Sequence, residues 1–591
     1  MGRPRTLALT GMLVSFGVLA SSCSVFGSDE TALERFASAI DSGDVAAAAA
    51  LTTDPAAATE TLQAVFDGVG DTDVHLSPSD PDVAGGESTA TEVEWTVPSG
   101  DTVQTAGTVT LTDDGSAVQW SPQIIDTRLQ EGGRLVYADE RRFSTPIVDR
   151  HGVDLLEWAP VTIVRLDPGN IAAAAPVADA VASVEPSITA DSIRDAVGAD
   201  PENPYTVISL REDDIAPIRD TLAAIPGVQL VEQGRMISAG EAESPVFGDL
   251  REYWRGELDA GAGWSLSVDN PGGSARVGGE DPAPMDDVRT TLDVPMQVAA
   301  QQGVGTRSEP ATIVAMRPST GAVLAVAQND AADEQGPIAL TGLFPPGSTF
   351  KTVTTSAALQ AGVAGADTVL PCPGRTTVEG RSIPNDDDFE LGDVPLHTAF
   401  AQSCNTTQAI MAAQLGPTDM RDVAASLGFG VDFTTPALTT VTGKVPVTEG
   451  GPARVEAAIG QGTVVASPFG MTEMVASLKN GGQMVLPMLV KGQRATADQQ
   501  PAALEPGTVD ALQAMMRETV QSGTAQSLSD IDGLGGKTGT AEIADGKAHG
   551  WFAGAVDDVA FTAFIEGADS SGPAVTMAGE FLRGAGDALT R

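Results

Sequence analysis

The sequence predicts a multidomain α+β protein whose C-terminal part is an antiparallel sheet with helices. Three observations point there. A chain of 591 residues exceeds the usual span of one domain. Its 42 % hydrophobic and 19 % charged residues are a globular balance, which excludes wholesale disorder. The hydrophobic period also changes from helical to alternating after Phe66, and strand, helix and strand follow one another from Val288. The net charge of −47, from 80 acidic against 33 basic residues, argues against nucleic acid and against an electrostatic hold on anionic membranes. Three cysteines exclude a disulfide scaffold or a zinc ribbon, and four scattered histidines argue against a multi-histidine metal site.

The N-terminus reads as an export signal. Arg3 and Arg5 form a short basic region, and Leu7 to Ala20 is uncharged, mostly apolar and too short to span a bilayer. Ala20-Ser21-Ser22-Cys23 resembles a bacterial lipobox, although Ala20 stands where Leu is usual. The resemblance implies removal of residues 1–22, lipidation of Cys23, and a chain tethered to the extracytoplasmic face of the membrane. An ordinary signal peptide that happens to contain a Cys is the alternative.

Leu33, Phe36, Ala37 and Ile40 recur at helical spacing. Asp44 reads as the N-cap of a second helix, and Asp54-Pro55 opens a third through Leu62, Val65 and Phe66. Val93, Trp95 and Val97 then alternate with polar residues, as do Val109 and Leu111, and Asp113-Asp114-Gly115 turns the chain towards Val118 and Trp120. Helices followed by a meander over 29–140 resemble the NTF2-like cone at the front of some penicillin-binding proteins. With no Tyr in 29–136 to build an oxyanion site, a structural or docking role is expected. From 141 to 284 the pattern is irregular. Phe143 to Gly152, Phe-Ser-Thr-Pro-Ile-Val-Asp-Arg-His-Gly, resembles the opening of the non-catalytic pedestal, or dimerisation, domain of class B penicillin-binding proteins. Asp149-Arg150 alone also suits an exposed ion pair. Residues 268–287, rich in Gly, Pro and Asp, read as a linker, and the last domain is expected over 285–591.

Three short motifs in the last domain carry chemistry. Pro345-Pro346-Gly347-Ser348-Thr349-Phe350-Lys351 ends an extended segment and opens a helix through Gln360, with Ser348 at its N-terminus and Lys351 on the same face. A helix N-terminus offers free N–H groups and partial positive charge to a developing oxyanion, and a desolvated Lys can act as base. Ser403-Cys404-Asn405 lies in a break between a helix over Leu396 to Ala401 and another from Thr407, so Ser403 and Asn405 can both face Lys351. Gly535-Gly536-Lys537-Thr538-Gly539-Thr540-Ala541 reads as an inner strand of an antiparallel sheet, since Asp545-Gly546 turns the chain and further strands follow through Gly550 to Gly554 and Phe561 to Ile565. There Lys537 brings charge for a carboxylate, Thr538 a hydroxyl, and Gly539 leaves room for a peptide along the strand.

Each motif alone is weak, and Ser-x-x-Lys is more often a capped helix with a solvated Lys. In this order and context, the three resemble the active-site set of the penicillin-recognising serine enzymes. Ile459-Gly460-Gln461-Gly462 before Ser467-Pro468, and Ser522-Gly523-Thr524-Ala525, resemble further family segments. With the lipobox and the front domain, the chain is most similar to an actinobacterial class B penicillin-binding lipoprotein. That implies a penicillin-binding, serine β-lactamase-like transpeptidase fold and D,D-transpeptidation of peptidoglycan. Ser348 would be the nucleophile and Lys351 its base. Ser403 and Lys537 would relay a proton to the leaving group, and Asn405 would orient Lys351. The N–H groups of Ser348 and Thr540 would form the oxyanion hole, while Thr538, Gly539 and Thr540 would bind substrate. No metal or cofactor is required.

The implied ligands are D-Ala-D-Ala stem peptides and β-lactams. The implied partners are a cell-wall glycosyltransferase and division or elongation proteins. A D,D-carboxypeptidase and a non-enzymatic cell-wall scaffold are the alternatives. A β-lactamase would need a deacylating Glu, and the segment around Glu473 does not match one. Cys372 and Cys404 either pair, closing a loop that adds about 3–4 kcal/mol in the chain-entropy view, or stay as buried thiols.

Overall fold

The structure is a computed structural model that describes residues 30–590 apart from 71, 544 and 545. The export signal, Cys23 and Asp545 lie outside the described residues. The chain forms two compact units: residues up to Arg141 with Ala262–Ala283, and Arg142–Gly261 with the chain from Pro284 onwards.

In the first unit the helices start where local caps place them. Thr31 and Glu34 close a capping box on Ala32–Asp41. Asp44 caps Val45–Ala50, and Asp54 with Pro55 opens Pro55–Val69. The meander runs Asp73–Pro78, Ser88–Thr96, Thr102–Leu111 and Val118–Gln119, each strand antiparallel to the one before. In its first strand Val74 and Leu76 point inwards and alternate with exposed Asp73, His75 and Ser77. Val93, Trp95 and Val97 point inwards with Phe36, Leu62 and Val65. The expected linker over 268–287 is largely a hairpin instead. Gly263–Asn270 pairs with Gly273–Glu280 and, on its other edge, with Arg134–Glu140. Trp264, Leu266 and Val268 are buried in this unit's core, so 262–283, placed by sequence with the pedestal, packs with the front unit.

In the second unit, Asp154–Leu166 pairs with Ile147–Val148, Tyr205–Arg211 and Val228–Ser238. Helices Ala174–Val181 and Ala190–Ala199 cover this sheet around Val164, Val177 and Ile193. Asp149 is not half of an exposed ion pair. It is fully buried and accepts the His151 and Val153 N–H groups at 2.7 and 2.9 Å, closing a turn.

A second sheet has five antiparallel strands in the order Ala322–Gln328, Ala311–Arg317, Val559–Ile565, Ala548–Val556, Gly535–Glu542. The strand expected after the helix that follows Val288 is thus a hairpin, Ala311–Arg317 with Ala322–Gln328. Helices Val294–Gly305 and Gly572–Ala585 pack on one face through Met296, Ile313, Phe561 and Phe581. Helix Pro468–Lys479 packs on the other through Phe469, Met474, Val314 and Phe564. The Lys-Thr-Gly segment is therefore an edge strand, not an inner one. Strand order is set by contacts far apart in sequence, and no local signal carries it.

Candidate active site

The prolines at 345 and 346 lead into a 3₁₀ turn, Gly347–Phe350, continued by the helix Lys351–Gln360. Thr349 Oγ1 donates to the Pro346 carbonyl at 2.6 Å and tightens the turn. The helix is buried on every side from Lys351 to Ala358. Two glycines let other backbones reach this turn. A Cβ on Gly539 would lie 2.8 Å from the Pro346 carbonyl oxygen, and one on Gly460 would lie 2.0 Å from that of Gly347. The absent side chain of Gly539 therefore makes room for the nucleophile's own turn, not for a peptide. The Gly347 N–H donates to the Gly460 carbonyl at 2.9 Å, which ties the Gly-Gln-Gly segment to the same turn.

Helix Leu396–Ala401 ends and helix Asn405–Ala412 begins around Ser403, which takes a left-handed φ of 61°. A non-glycine residue there is strained, and strain of this kind collects where surrounding contacts over-determine the backbone. Those contacts converge on Lys351. Its Nζ donates to the Ser403 carbonyl at 2.7 Å, to Ser403 Oγ at 3.1 Å and to Asn405 Oδ1. Lys537 Nζ approaches Ser403 Oγ from the other side at 2.9 Å and sits 5.7 Å from the Phe400 ring centroid. One hydroxyl thus bridges two lysines. Burial pushes Lys537 down to about 7. Burial, then the neighbouring Lys537 charge, push Lys351 well below the usual lysine range, against the pull of Asp386. With one amine neutral, Ser403 accepts from the ammonium and donates to the free amine, so a proton can pass along the line.

Ser348, Ser403, Asn405, Thr524, Thr538 and Thr540 line one open cleft of about 750 Å³. Thr524 and Thr538 hydroxyls lie 2.6 Å apart. Thr540 Oγ1 accepts the Ser571 N–H at 3.2 Å, which leaves its own proton free to be donated into the cleft. Of the sequence-predicted site residues, Ser348, Ser403, Asn405, Thr538 and Thr540 line this cleft, Lys351 and Lys537 are buried and meet it through Ser403, and Gly539 packs on the nucleophile's turn instead. Glu473 is absent from the lining. It is fully buried in helix Pro468–Lys479, where Oε1 accepts from Ser477 Oγ at 3.1 Å. Cys372 and Cys404 are bonded, with Cα atoms 6.2 Å apart. Sequence reading did not find Ser571 or Asn385. Ser571 heads the last long helix, and Asn385 sits in an Asp-rich stretch that looks like a solvated loop.

Comparison with known proteins agrees with this geometry. Residues 311–581 match the penicillin binding protein transpeptidase domain, and residues 28–133 match the NTF2-like N-terminal transpeptidase domain. The chain therefore carries a penicillin binding protein transpeptidase domain and, ahead of it in sequence, an NTF2-like N-terminal transpeptidase domain. A peptidoglycan D,D-transpeptidase PbpA of Mycolicibacterium smegmatis is 30% identical over 291 residues, covering 41% of this chain and 58% of that protein. Peptidoglycan D,D-transpeptidase MrdA of Acinetobacter baumannii is 28% identical over 327 residues, covering 46% and 47%. A solved D,D-transpeptidase domain of a peptidoglycan glycosyltransferase from Eggerthella lenta is 25% identical, with a TM-score of 0.45, covering 54% of this chain and 94% of that one. The chain thus spans about half the length of these curated relatives. The transpeptidase match contains all three motifs, from Ser348 to Thr540. Among the described residues no helix is long and apolar enough to cross a membrane.

Proposed function

We propose that this protein is a class B serine D,D-transpeptidase that cross-links peptidoglycan stem peptides and is acylated by β-lactams. One observation carries the reading. Lys351 Nζ, Ser403 Oγ and Lys537 Nζ form a continuous hydrogen-bonded line of 3.1 and 2.9 Å under a cleft lined by Ser348. Neutral Lys351 takes the Ser348 hydroxyl proton as Oγ bonds to the penultimate D-Ala carbonyl carbon of a donor stem. The oxyanion lies against the Ser348 and Thr540 N–H groups. As the C–N bond breaks, a proton reaches the leaving D-Ala amine through Ser403 and Lys537. An acceptor amine then attacks the ester, gives up its proton to the same line, and frees Ser348. Thr538 and Thr540 hold the terminal carboxylate through their hydroxyls.

The export signal and the Cys23 lipobox support a lipid-anchored protein on the outer face of the membrane, working with a glycosyltransferase and division or elongation proteins. Purified protein given donor and acceptor stems should release D-Ala and form a cross-linked dimer, and Ser348→Ala should do neither. D-Ala release without cross-links would favour a carboxypeptidase. Neither product, with no penicillin adduct on the Ser348 peptide, would leave a scaffold.

A further inference from the structure

Helix Asn405–Ala412 begins inside the catalytic motif without a cap of its own. Its N-cap residue, Cys404, makes no side-chain capping bond, and its sulfur is tied to Cys372. The first free N–H groups of the helix belong to Asn405 and Thr406. Both donate to one atom 20 or more residues upstream, Asn385 Oδ1, at 2.8 and 3.1 Å. Asn385 is 2 % exposed. Its Nδ2 donates to the Pro373 and Phe389 carbonyls at 2.9 and 2.8 Å. Both acceptor sites and both donor hydrogens of this carboxamide are therefore used, which fixes its orientation. The adjacent Pro384 carbonyl accepts from Asn405 Nδ2 at 2.9 Å. Backbone and side chain of Asn405 are thus both held by Pro384-Asn385, and the remaining carboxamide atom, Oδ1, is aimed at Lys351 Nζ.

We propose that Asn385 is a positioning residue for acylation. It caps the Asn405 helix from another segment and so sets the turn that holds Ser403 and Asn405 around Lys351. The proposal rests on the acyl-serine reading above. Ser403 keeps its left-handed backbone only while the next residues are anchored, and Asn385 supplies that anchor at the two N–H groups that follow. Without it, a shift of a few tenths of an ångström at Asn405 moves the acceptor that orients the base, while the carboxylate-binding strand at Thr538 and Thr540 stays in place. The loss should therefore fall on the chemical step and spare ligand capture.

The test is stopped-flow acylation of the full-length protein by a fluorescent penicillin, resolved into a non-covalent binding constant and an acylation rate constant across neutral pH. Asn385→Ala should lower the rate constant by about 10- to 100-fold and leave the binding constant within about twofold. Asn385→Asp keeps the shape and the N–H acceptor but replaces the donor that meets the Pro373 and Phe389 carbonyls by a second carboxylate oxygen. The charges already acting on Lys351 are Lys537 and Asp386. A further negative charge should favour the ammonium and move the rising limb of the rate profile up by about one pH unit. A role confined to folding would not move that limb. Rate constants within twofold of wild type for both variants, with an unmoved profile, would overturn the proposal. So would loss of folding in both, which would assign Asn385 to the fold alone. If the wild-type protein itself takes no penicillin on Ser348, the acyl-serine reading falls and this proposal with it. Normal acylation in the wild type and in both variants sinks only the role of Asn385.

Discussion

Among the described residues of the front unit the one buried charged side chain, Asp126, is paired: it accepts from Arg128 Nε and Nη2 at 2.9 and 2.8 Å. Its other buried polar groups are mostly threonines, such as Thr105, which links Trp95 Nε1 to the Ile125 carbonyl. The transpeptidase domain buries Lys351, Lys537 and Glu473, and none of the described ion pairs includes any of them. An unpaired buried charge is expensive, and the usual escape is a shift to the neutral form. All three shift that way. The contrast teaches that such a shift marks a working group only where it meets a cleft. The lysines converge on Ser403 beneath one, whereas Glu473 faces Ser477 and Gly428 inside the core.

The largest effects should come from breaking the lysine side of that contrast. Ser348→Ala should abolish labelling by fluorescent penicillin, read on a gel. Lys351→Ala should slow acylation by about 10³-fold or more, because the serine loses its base. Its melting temperature should fall modestly, since a cavity and the unpaired Ser403 carbonyl and Asn405 Oδ1 replace the buried amine. A large drop in melting temperature would argue that Lys351 is structural.

Next in size is the separation of the units. Deleting 30–141 alone strips the hairpin Gly263–Glu280 of its partner strand and exposes Trp264, Leu266 and Val268, so the product should aggregate. Replacing 262–283 by a short linker as well should restore a monodisperse protein that is acylated within about twofold of the full chain. A slow but well-folded double deletion would show that the front unit shapes the site.

Two pH effects are smaller and opposite in sign. Acylation should rise through about pH 7 as the Lys351–Lys537 pair sheds one proton, with the apparent value belonging to the pair. Burial holds Glu473 up at about 8 against an ordinary 4.5. Across that window the folded chain keeps a proton that the unfolded chain has lost. The Glu473 contribution to stability should therefore fall as pH rises, by about 1.4 kcal/mol per pH unit at most, against a rise from the two lysines. Glu473→Gln should remove that contribution from the slope in denaturant titrations without changing acylation. An unchanged slope would mean that Glu473 is ionised in place.

Much of this was legible in sequence because its signals are local. Asp44 and Asp54-Pro55 cap helices where the sequence places them, and Ser348, Ser403 and Lys537 lie in motifs a few residues long. What escaped depends on distance. The edge position of Gly535–Glu542 follows from strand order. Asn385 looks like loop because its helix starts far downstream. The hairpin at 263–280 did carry a signal, the alternation of Trp264, Leu266 and Val268, but the glycines after it outweighed that pattern.

That hairpin also sets a timetable. The chain enters the front unit, leaves it after Arg141, and returns only at Ala262. A polypeptide that emerges from its N-terminus, from ribosome or export channel, presents the front helices and meander well before Gly263–Glu280 exists. Until then Arg134–Glu140 has an open edge, and the apolar surface that Trp264, Leu266 and Val268 will cover stays wet. The sheet around Asp154–Leu166, encoded between the two pieces, can close from contacts nearer in sequence. The first segment to appear is therefore among the later ones to be finished, and during that interval it is the part of the nascent chain most in need of a chaperone.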